Sequence, residues 1–319
     1  MRQASTDESA IDKLYQGVLR RDPLILARTA SLIEQQTDAG ETLVSRLLAH
    51  AGRARVLGVT GPPGAGKSTL INALVRHLRI RNYTVAVIAV DPSSSLSGGA
   101  LLGDRIRMAE HHSDPNVFVR SMATRGNSGG LATATFETMI LLDAAGFDFV
   151  LVETVGIGQT QTQVASLTGL VLLVLAPEMG DDVQALKAGM MEIADIFVIN
   201  KADLPGAERL EHEIRYVQNL SASNKVPTPI YRVSASLGEG LEALTVTILS
   251  LCQGQSENTT RSEVWVRALP LLVQDELTAR LTPSLLTRHA AQIARLEETP
   301  RQAARAVLSE LIQQQKESA

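Results

Sequence analysis

Between residues 51 and 252, seven short apolar runs recur with helical patterns between them. They are Arg55–Thr60, Val85–Val90, Val117–Val119, Phe147–Val152, Leu170–Leu175, Ile196–Ile199 and Pro229–Val233. The runs are continuous and do not alternate in polarity. A strand with one wet face alternates with period two, so continuous runs mark strands covered on both faces. Strands of that kind, interleaved with helices, build an α/β fold: a doubly wound, mostly parallel sheet with helices on both sides.

The flanks have a different texture. Residues 1–50 are helical, with Ile11, Leu14, Tyr15, Val18 and Leu19 on one face and Leu43, Val44, Leu47 and Leu48 on another. Asp22-Pro23 is an N-cap followed by a proline at the first helical position. Residues 253–262 are polar and read as a linker, and beyond them only helical patterns remain. Thr282-Pro283 and Thr299-Pro300 repeat the cap-and-proline signal, and Ala304, Val307, Leu308, Leu311 and Ile312 form a stripe. The expected division is an N-terminal helical region over 1–50, the sheet domain over 51–252, and a linker with a C-terminal helical arm over 253–319.

Composition excludes several classes. The net charge is −4, so the chain lacks the basic footprint of a nucleic-acid binder. Aromatic residues are 3%, too few for base-stacking platforms. One cysteine, Cys252, excludes an internal disulfide framework and a multi-cysteine zinc site, and it reads as a small core residue. The longest apolar run, Leu170–Ala176, has seven residues, and the polar start Met1–Lys13 has no export signal. The expectation is a cytoplasmic protein without membrane or nucleic-acid partners.

Gly61-Pro62-Pro63-Gly64-Ala65-Gly66-Lys67-Ser68 fits the pattern G-x-x-x-x-G-K-[ST]. It lies between an apolar strand and the helical Leu70–Leu78, the context that the motif requires. Glycines let backbone N–H groups turn inward around a phosphate, and the following helix N-terminus adds partial positive charge. The predicted nucleotide ligands here are Gly61, Gly64, Ala65, Gly66, Lys67, Ser68 and Thr69. Lys67 reaches the β/γ-phosphates, and Ser68 ligates Mg²⁺.

Asn200-Lys201-Ala202-Asp203 ends the run Ile196–Ile199 and matches N-K-x-D. A carboxylate at Asp203 accepts from guanine N1–H and the 2-amino group. Adenine offers neither donor there and would leave the carboxylate unpaired, which is how polar sites reject analogues. Ser234 and Ala235 open a companion S-A-x loop whose backbone N–H meets guanine O6. The tetrapeptide alone also fits an ordinary helix start. In this order after a phosphate loop it points to GTP and GDP.

Carboxylates stand where parallel strands present ligands. Asp91 ends one run, Asp104 follows in Gly103-Asp104-Arg105, and Glu153 ends another run just before Gly156. Together with Ser68 they are the candidate Mg²⁺ ligands, although any one of them also reads as a surface or capping acid. Gly156 lets a backbone N–H approach the γ-phosphate, and Gln159 is a candidate for orienting water. The acidic stretch from Glu178 to Gln184 reads either as a solvated cap on the helix Val183–Met191 or as a loop that senses the nucleotide. Arg125 reads as a surface arginine or a phosphate contact. Neighbouring His111 and His112 make a poor metal site.

These residues resemble the MeaB/ArgK GTPases, which assist cobalamin-dependent acyl-CoA mutases such as methylmalonyl-CoA mutase. The resemblance covers about residues 20–250 and rests on the segments 58–68, 90–95, 101–105, 121–126, 152–159 and 191–203. It implies a homodimer with C-terminal helical arms, GTP hydrolysis that gates cofactor loading and protects the mutase, and a third switch after Glu178. Lys67, Glu153 and Gln159 carry the catalytic roles in this reading. The chain departs from the family at Gln159-Thr160-Gln161-Thr162-Gln163, where a Glu-rich run is usual, at Asn127, and in the poorly matching region beyond about 255. The alternatives are a metallochaperone GTPase, for which Cys and His ligands are scarce, an ATP-dependent kinase linked to amino-acid transport, and a scaffold that does not hydrolyse.

Overall fold

The computed structural model describes residues 2–91, 113–123, 131–154, 168–177, 190–221, 227–254 and 266–318, the last range without 267, 275, 279 and 296. Seven strands form one sheet: β1 (Arg55–Thr60), β2 (Val85–Asp91), β3 (Val117–Ala123), β4 (Phe149–Thr154), β5 (Leu170–Leu175), β6 (Ile196–Ile199) and β7 (Ile230–Arg232). Their order is β3-β2-β4-β1-β5-β6-β7, and every neighbouring pair is parallel.

Before the sheet come α1 (Arg2–Leu19), α2 (Pro23–Glu34) and α3 (Asp38–Leu47). Around it lie α4 (Lys67–Ile80), α5 (Leu131–Ala144), α6 (Ala207–Ser221) and α7 (Leu241–Gly254). After it come α8 (Pro283–Ala294) and α9 (Pro300–Ser318).

Successive residues of a strand point to opposite faces. On β4, Phe149 and Leu151 pack with α4 and α7, whereas Val150 and Val152 pack with α2, α3 and α5. On β5, Leu172 and Val174 take the α4 side, and Leu173 and Leu175 meet Ala207, Leu210 and Ile214 of α6. Both faces are covered, which is why β5 is apolar at every position and β4 is apolar from Phe149 to Val152. Phe149 is fully buried, and truncating such a side chain to alanine costs about 3–5 kcal/mol.

Strand ends differ from the apolar runs for identifiable reasons. β3 continues through Arg120 and Ser121 to Ala123. It is an edge strand, and the Arg120 guanidinium is satisfied by Glu34 at 2.8 Å and by Ser31 Oγ at 3.0 Å, both on α2. β4 starts at Phe149 because Phe147 and Asp148 serve the preceding turn: the Asp148 carboxylate accepts from Thr84 N at 2.7 Å.

The N-terminal helices share the core of the sheet. Val18, Leu26, Ala30, Ile33, Val44 and Leu47 belong to the same apolar cluster as Ile88 and Val152. Leu48 is exposed, because the chain leaves α3 for a 3₁₀ turn at that point. Asp22 caps α2 by accepting from Leu24 N and Ile25 N. Before it, Arg21 donates to Ala145 O and Gly146 O and stacks over Phe147.

The C-terminal hairpin has its own small core of Leu285, Val307 and Leu311. Thr282 caps α8, and Thr299 and Gln302 cap α9 reciprocally. Leu308 and Ile312, on the same sequence stripe as Val307 and Leu311, face outward. No helix among the described residues is long and apolar enough to cross a membrane.

One half-buried carboxyl sets a pH dependence. Glu137 on α5 is pushed from 4.5 up to about 7, first by burial and second by the negative charge of Glu41 on α3. A carboxyl whose folded value is raised binds its proton more tightly in the native state. Its contribution is present below the unfolded value and is lost as pH rises through about 7. Glu137→Gln should therefore leave stability at pH 4 nearly unchanged and raise it at pH 8 by about 1–2 kcal/mol, a figure discounted for partial exposure. Denaturant titrations at the two pH values check this, and an equal change at both would contradict it.

Candidate nucleotide site

The phosphate loop leaves β1 at the middle of the sheet and enters α4 directly. Its first glycine, Gly61, has φ +145°, and a Cβ there would stand 2.1 Å from Val174 O of β5. Gly66 occupies the N-cap of α4 with φ +84°, and a Cβ there would stand 2.4 Å from Asn200 Nδ2. No side chain fits at either position without moving a neighbouring strand or the base loop. The Lys67 side chain folds back into the loop, with Nζ donating to Gly61 O at 2.9 Å and to Pro62 O at 3.0 Å. Lys67 is 5% exposed, so its charge is held against the loop backbone.

Ser68 begins the first turn of α4 and donates to Glu153 Oε1 at 2.6 Å. Glu153 is 1% exposed and lies beside β1, in register with Val59. A hydroxyl and a buried carboxylate, at the mouth of a loop shaped for phosphates, are hard oxygen donors. That donor set fits Mg²⁺, which takes one or two carboxylates and completes its shell with waters and substrate phosphates. Among the described residues no three His, Cys, Asp or Glu side chains gather as a metal cage. Asp91 ends β2 at the same edge of the sheet. Asp104, Gly156, Gln159, Arg125, His111, His112 and the stretch 178–189 lie outside the described residues.

The base loops are tied to the phosphate loop through one side chain. Asn200 Nδ2 donates to Ala65 O at 2.9 Å and to Gly66 O at 3.3 Å, while its Oδ1 accepts from Ala235 N at 3.1 Å. Asn200 thus joins three segments far apart in sequence and is 2% exposed. Lys201 adopts φ +56°, a turn that its long side chain tolerates at some cost and that brings its Cε near Gly66. Asp203 is exposed beyond that turn, and Ala202 N is anchored to Val233 O at 2.9 Å. Ser234 and Ala235 are buried at the start of the facing loop. The motif locates Asn200 but carries no sign of its three-way bridge, since those contacts are long-range.

Cys252 lies apart from this site, half-buried against the α4 side of the core. Burial pushes its thiol up to about 11, so it is a packing residue and a poor nucleophile.

Residues 26–284 match the family model described as "Methylmalonyl Co-A mutase-associated GTPase MeaB". The chain belongs to the MeaB family. A Mycobacterium tuberculosis protein bearing the name GTPase is 36% identical over 333 aligned positions, covering 93% of this chain and 98% of that one. The mouse (Mus musculus) protein named "Methylmalonic aciduria type A homolog, mitochondrial" is 34% identical over 286 positions, covering 82% of this chain and 69% of that one. Among solved structures, one described as an LAO/AO transport system kinase superposes with a TM-score of 0.69 at 26% identity, covering 96% of this chain and 98% of that one. As a MeaB-family P-loop GTPase, the chain binds guanine nucleotide and hydrolyses GTP.

Asn200→Ala tests the bridge. It leaves buried groups of Ala65 and Ala235 unpaired, at about 1–3 kcal/mol each. The GDP affinity of this MeaB-family GTPase should fall about tenfold or more. A fluorescent-GDP titration measures this, and an unchanged affinity would contradict the role given to Asn200.

Proposed function

We propose that this MeaB-family GTPase gates cofactor loading, and protects the loaded enzyme, for a cobalamin-dependent acyl-CoA mutase of the methylmalonyl-CoA mutase kind. The observation that carries the proposal is the match of residues 26–284 to a family described as associated with that mutase. The name of the mouse relative, which refers to methylmalonic aciduria, supports the same direction.

The chemistry assigned to the site is phosphoryl transfer to water. Water attacks the γ-phosphorus in line, the bond to the bridging oxygen breaks, and charge gathers on the β/γ oxygens. In this reading Gly61, Gly64, Ala65, Gly66 and Thr69 present the backbone cradle. Lys67 places its ammonium on the β/γ oxygens, and Gly156 adds a backbone N–H at the γ-phosphate. Ser68 and Glu153, with Asp91 and Asp104, would hold Mg²⁺, which when bound neutralises the charge developing on those oxygens. Gln159 orients the attacking water. Asp203 accepts from guanine, Lys201 flanks the base, and Asn200, Ser234 and Ala235 set the loop whose N–H meets O6.

The proposed organisation keeps residues 1–50 as a helical cover, 51–252 as the GTPase domain, and 253–319 as an arm that pairs two copies. Leu286, Leu308 and Ile312 are exposed on α8 and α9, which supports an apolar contact between arms. The segment Glu178–Lys187 transmits the nucleotide state to the mutase. A second reading, a kinase in amino-acid transport, follows from the name of the superposed structure. It needs an adenine site, and a carboxylate at Asp203 disfavours one. The metallochaperone reading lacks Cys and His ligands.

A paired assay tests the coupling. GTPase rate is measured with and without purified methylmalonyl-CoA mutase, for the wild type and for a variant with Asp182, Gln184 and Lys187 replaced by alanine. The wild type should be stimulated, and the variant should keep its basal rate but lose stimulation, because a switch acts only through contacts that differ between states. No stimulation of the wild type would overturn the mutase partner. Full stimulation of the variant would overturn the role of the segment.

A further inference from the structure

We propose that Thr154 and Thr60 form a positioning clasp that holds the Glu153 carboxylate in register with the phosphate loop. The inference deepens the reading of Glu153 and Ser68 as the metal-holding pair and rests on it. The Thr154 hydroxyl donates to Thr60 Oγ1 at 3.0 Å, and the two side chains are 2% and 0% exposed. Each residue is the last of its strand: Thr60 ends β1 directly before Gly61, and Thr154 ends β4 directly after Glu153.

The clasp lies on the opposite face of the sheet from the metal pair. The paired residues Val59 and Glu153 point to the α4 side, where Glu153 meets Ser68. Their successors Thr60 and Thr154 point to the α5 side, as Val150 and Val152 do on β4. Two side-chain bonds therefore hold the end of β4, one on each face and one residue apart: Glu153 to Ser68 of α4, and Thr154 to Thr60 of β1. Directly beyond Thr60 the chain enters the phosphate loop. Backbone pairing already holds the end of β4 between β2, where Thr154 is in register with Val90, and β1, where Glu153 is in register with Val59. The Thr60–Thr154 bond adds a side-chain tie on the face away from Ser68, and in this proposal it sets the fine lateral placement of the carboxylate against α4.

A valine would pack the same volume in an apolar layer without a hydroxyl to satisfy. The paired hydroxyls instead give a directional link at the point where lateral error at Glu153 matters for the reaction. A displacement of about 1 Å at a reacting centre costs up to about a hundredfold in rate.

The test uses Thr154→Val, Thr154→Ser and Thr60→Val in the full chain. Four quantities are read: single-turnover GTP hydrolysis, the Mg²⁺ concentration at half-maximal rate, GDP affinity in EDTA, and melting temperature. Thr154→Val should hydrolyse about tenfold or more slowly and need more Mg²⁺, with GDP affinity in EDTA within about twofold of wild type. Thr154→Ser, which keeps the hydroxyl, should stay within about twofold in rate. Thr60→Val should reproduce Thr154→Val, and the double variant should be no slower than either, because both remove one bond. The clasp is overturned if Thr154→Val turns over at the wild-type rate, if the serine variant fails as badly as the valine one, or if metal-free GDP affinity falls in step with the rate. Should one valine variant not fold, the other reads the same bond. Glu153→Ala separates the two levels. If it hydrolyses normally, the metal-pair reading fails. If it is slow while Thr154→Val is normal, only the clasp fails.

Discussion

The ladder between β1 and β4, five residue pairs deep in the middle of the sheet, is the constraint on which the nucleotide end depends. The phosphate loop starts where β1 stops. Glu153 sits one residue from the end of β4. Val174 O on the other neighbour, β5, closes against Gly61. The ladder is rigid because both faces are packed: a shift of one strand would expose apolar side chains on both sides at once. Parallel topology then delivers all of these groups to one edge, because every strand points the same way and the order reverses about β1.

The layers outside the ladder restrain it from different directions. Asn200 carries the loop geometry of β6 to Ala65 and Gly66, and on to Ala235. On the far side, Arg120 of β3 is locked to Glu34 and Ser31 of α2, so the N-terminal helices are fastened to the sheet edge by a largely buried ion pair. Removing one partner of such a pair strands the other, which makes the attachment of α2 a fixed feature. Glu137 is the exception in this layer. Its carboxyl faces Glu41 across the α3–α5 contact, and the repulsion grows as the pH rises.

Most of the sheet is legible in the sequence because two-faced burial writes itself as unbroken apolar runs, and β1, β5 and β6 begin and end where those runs do. The extension of β3 is not legible, since Arg120 and Ser121 look like loop residues until Glu34 is known to face them. The phosphate loop and N-K-x-D are readable as local spacings, and Ser68 and Glu153 do meet. The bridge at Asn200 and the Thr60–Thr154 bond join residues 135 and 94 positions apart, so no local pattern announces them. The helical stripe from Ala304 to Ile312 was readable as apolar but not as divided: α8 covers Val307 and Leu311 and leaves Leu308 and Ile312 outside.

The central claim is a site whose base loop demands guanine and whose phosphate loop is held to it by Asn200. Calorimetric titration of the wild-type protein with GDP and with ADP, at the same Mg²⁺ concentration, tests it most directly. In the proposed site Asp203 pairs with two donors that adenine lacks, so GDP should bind and ADP should show about a thousandfold weaker binding or none. Equal affinities for the two nucleotides would contradict the account.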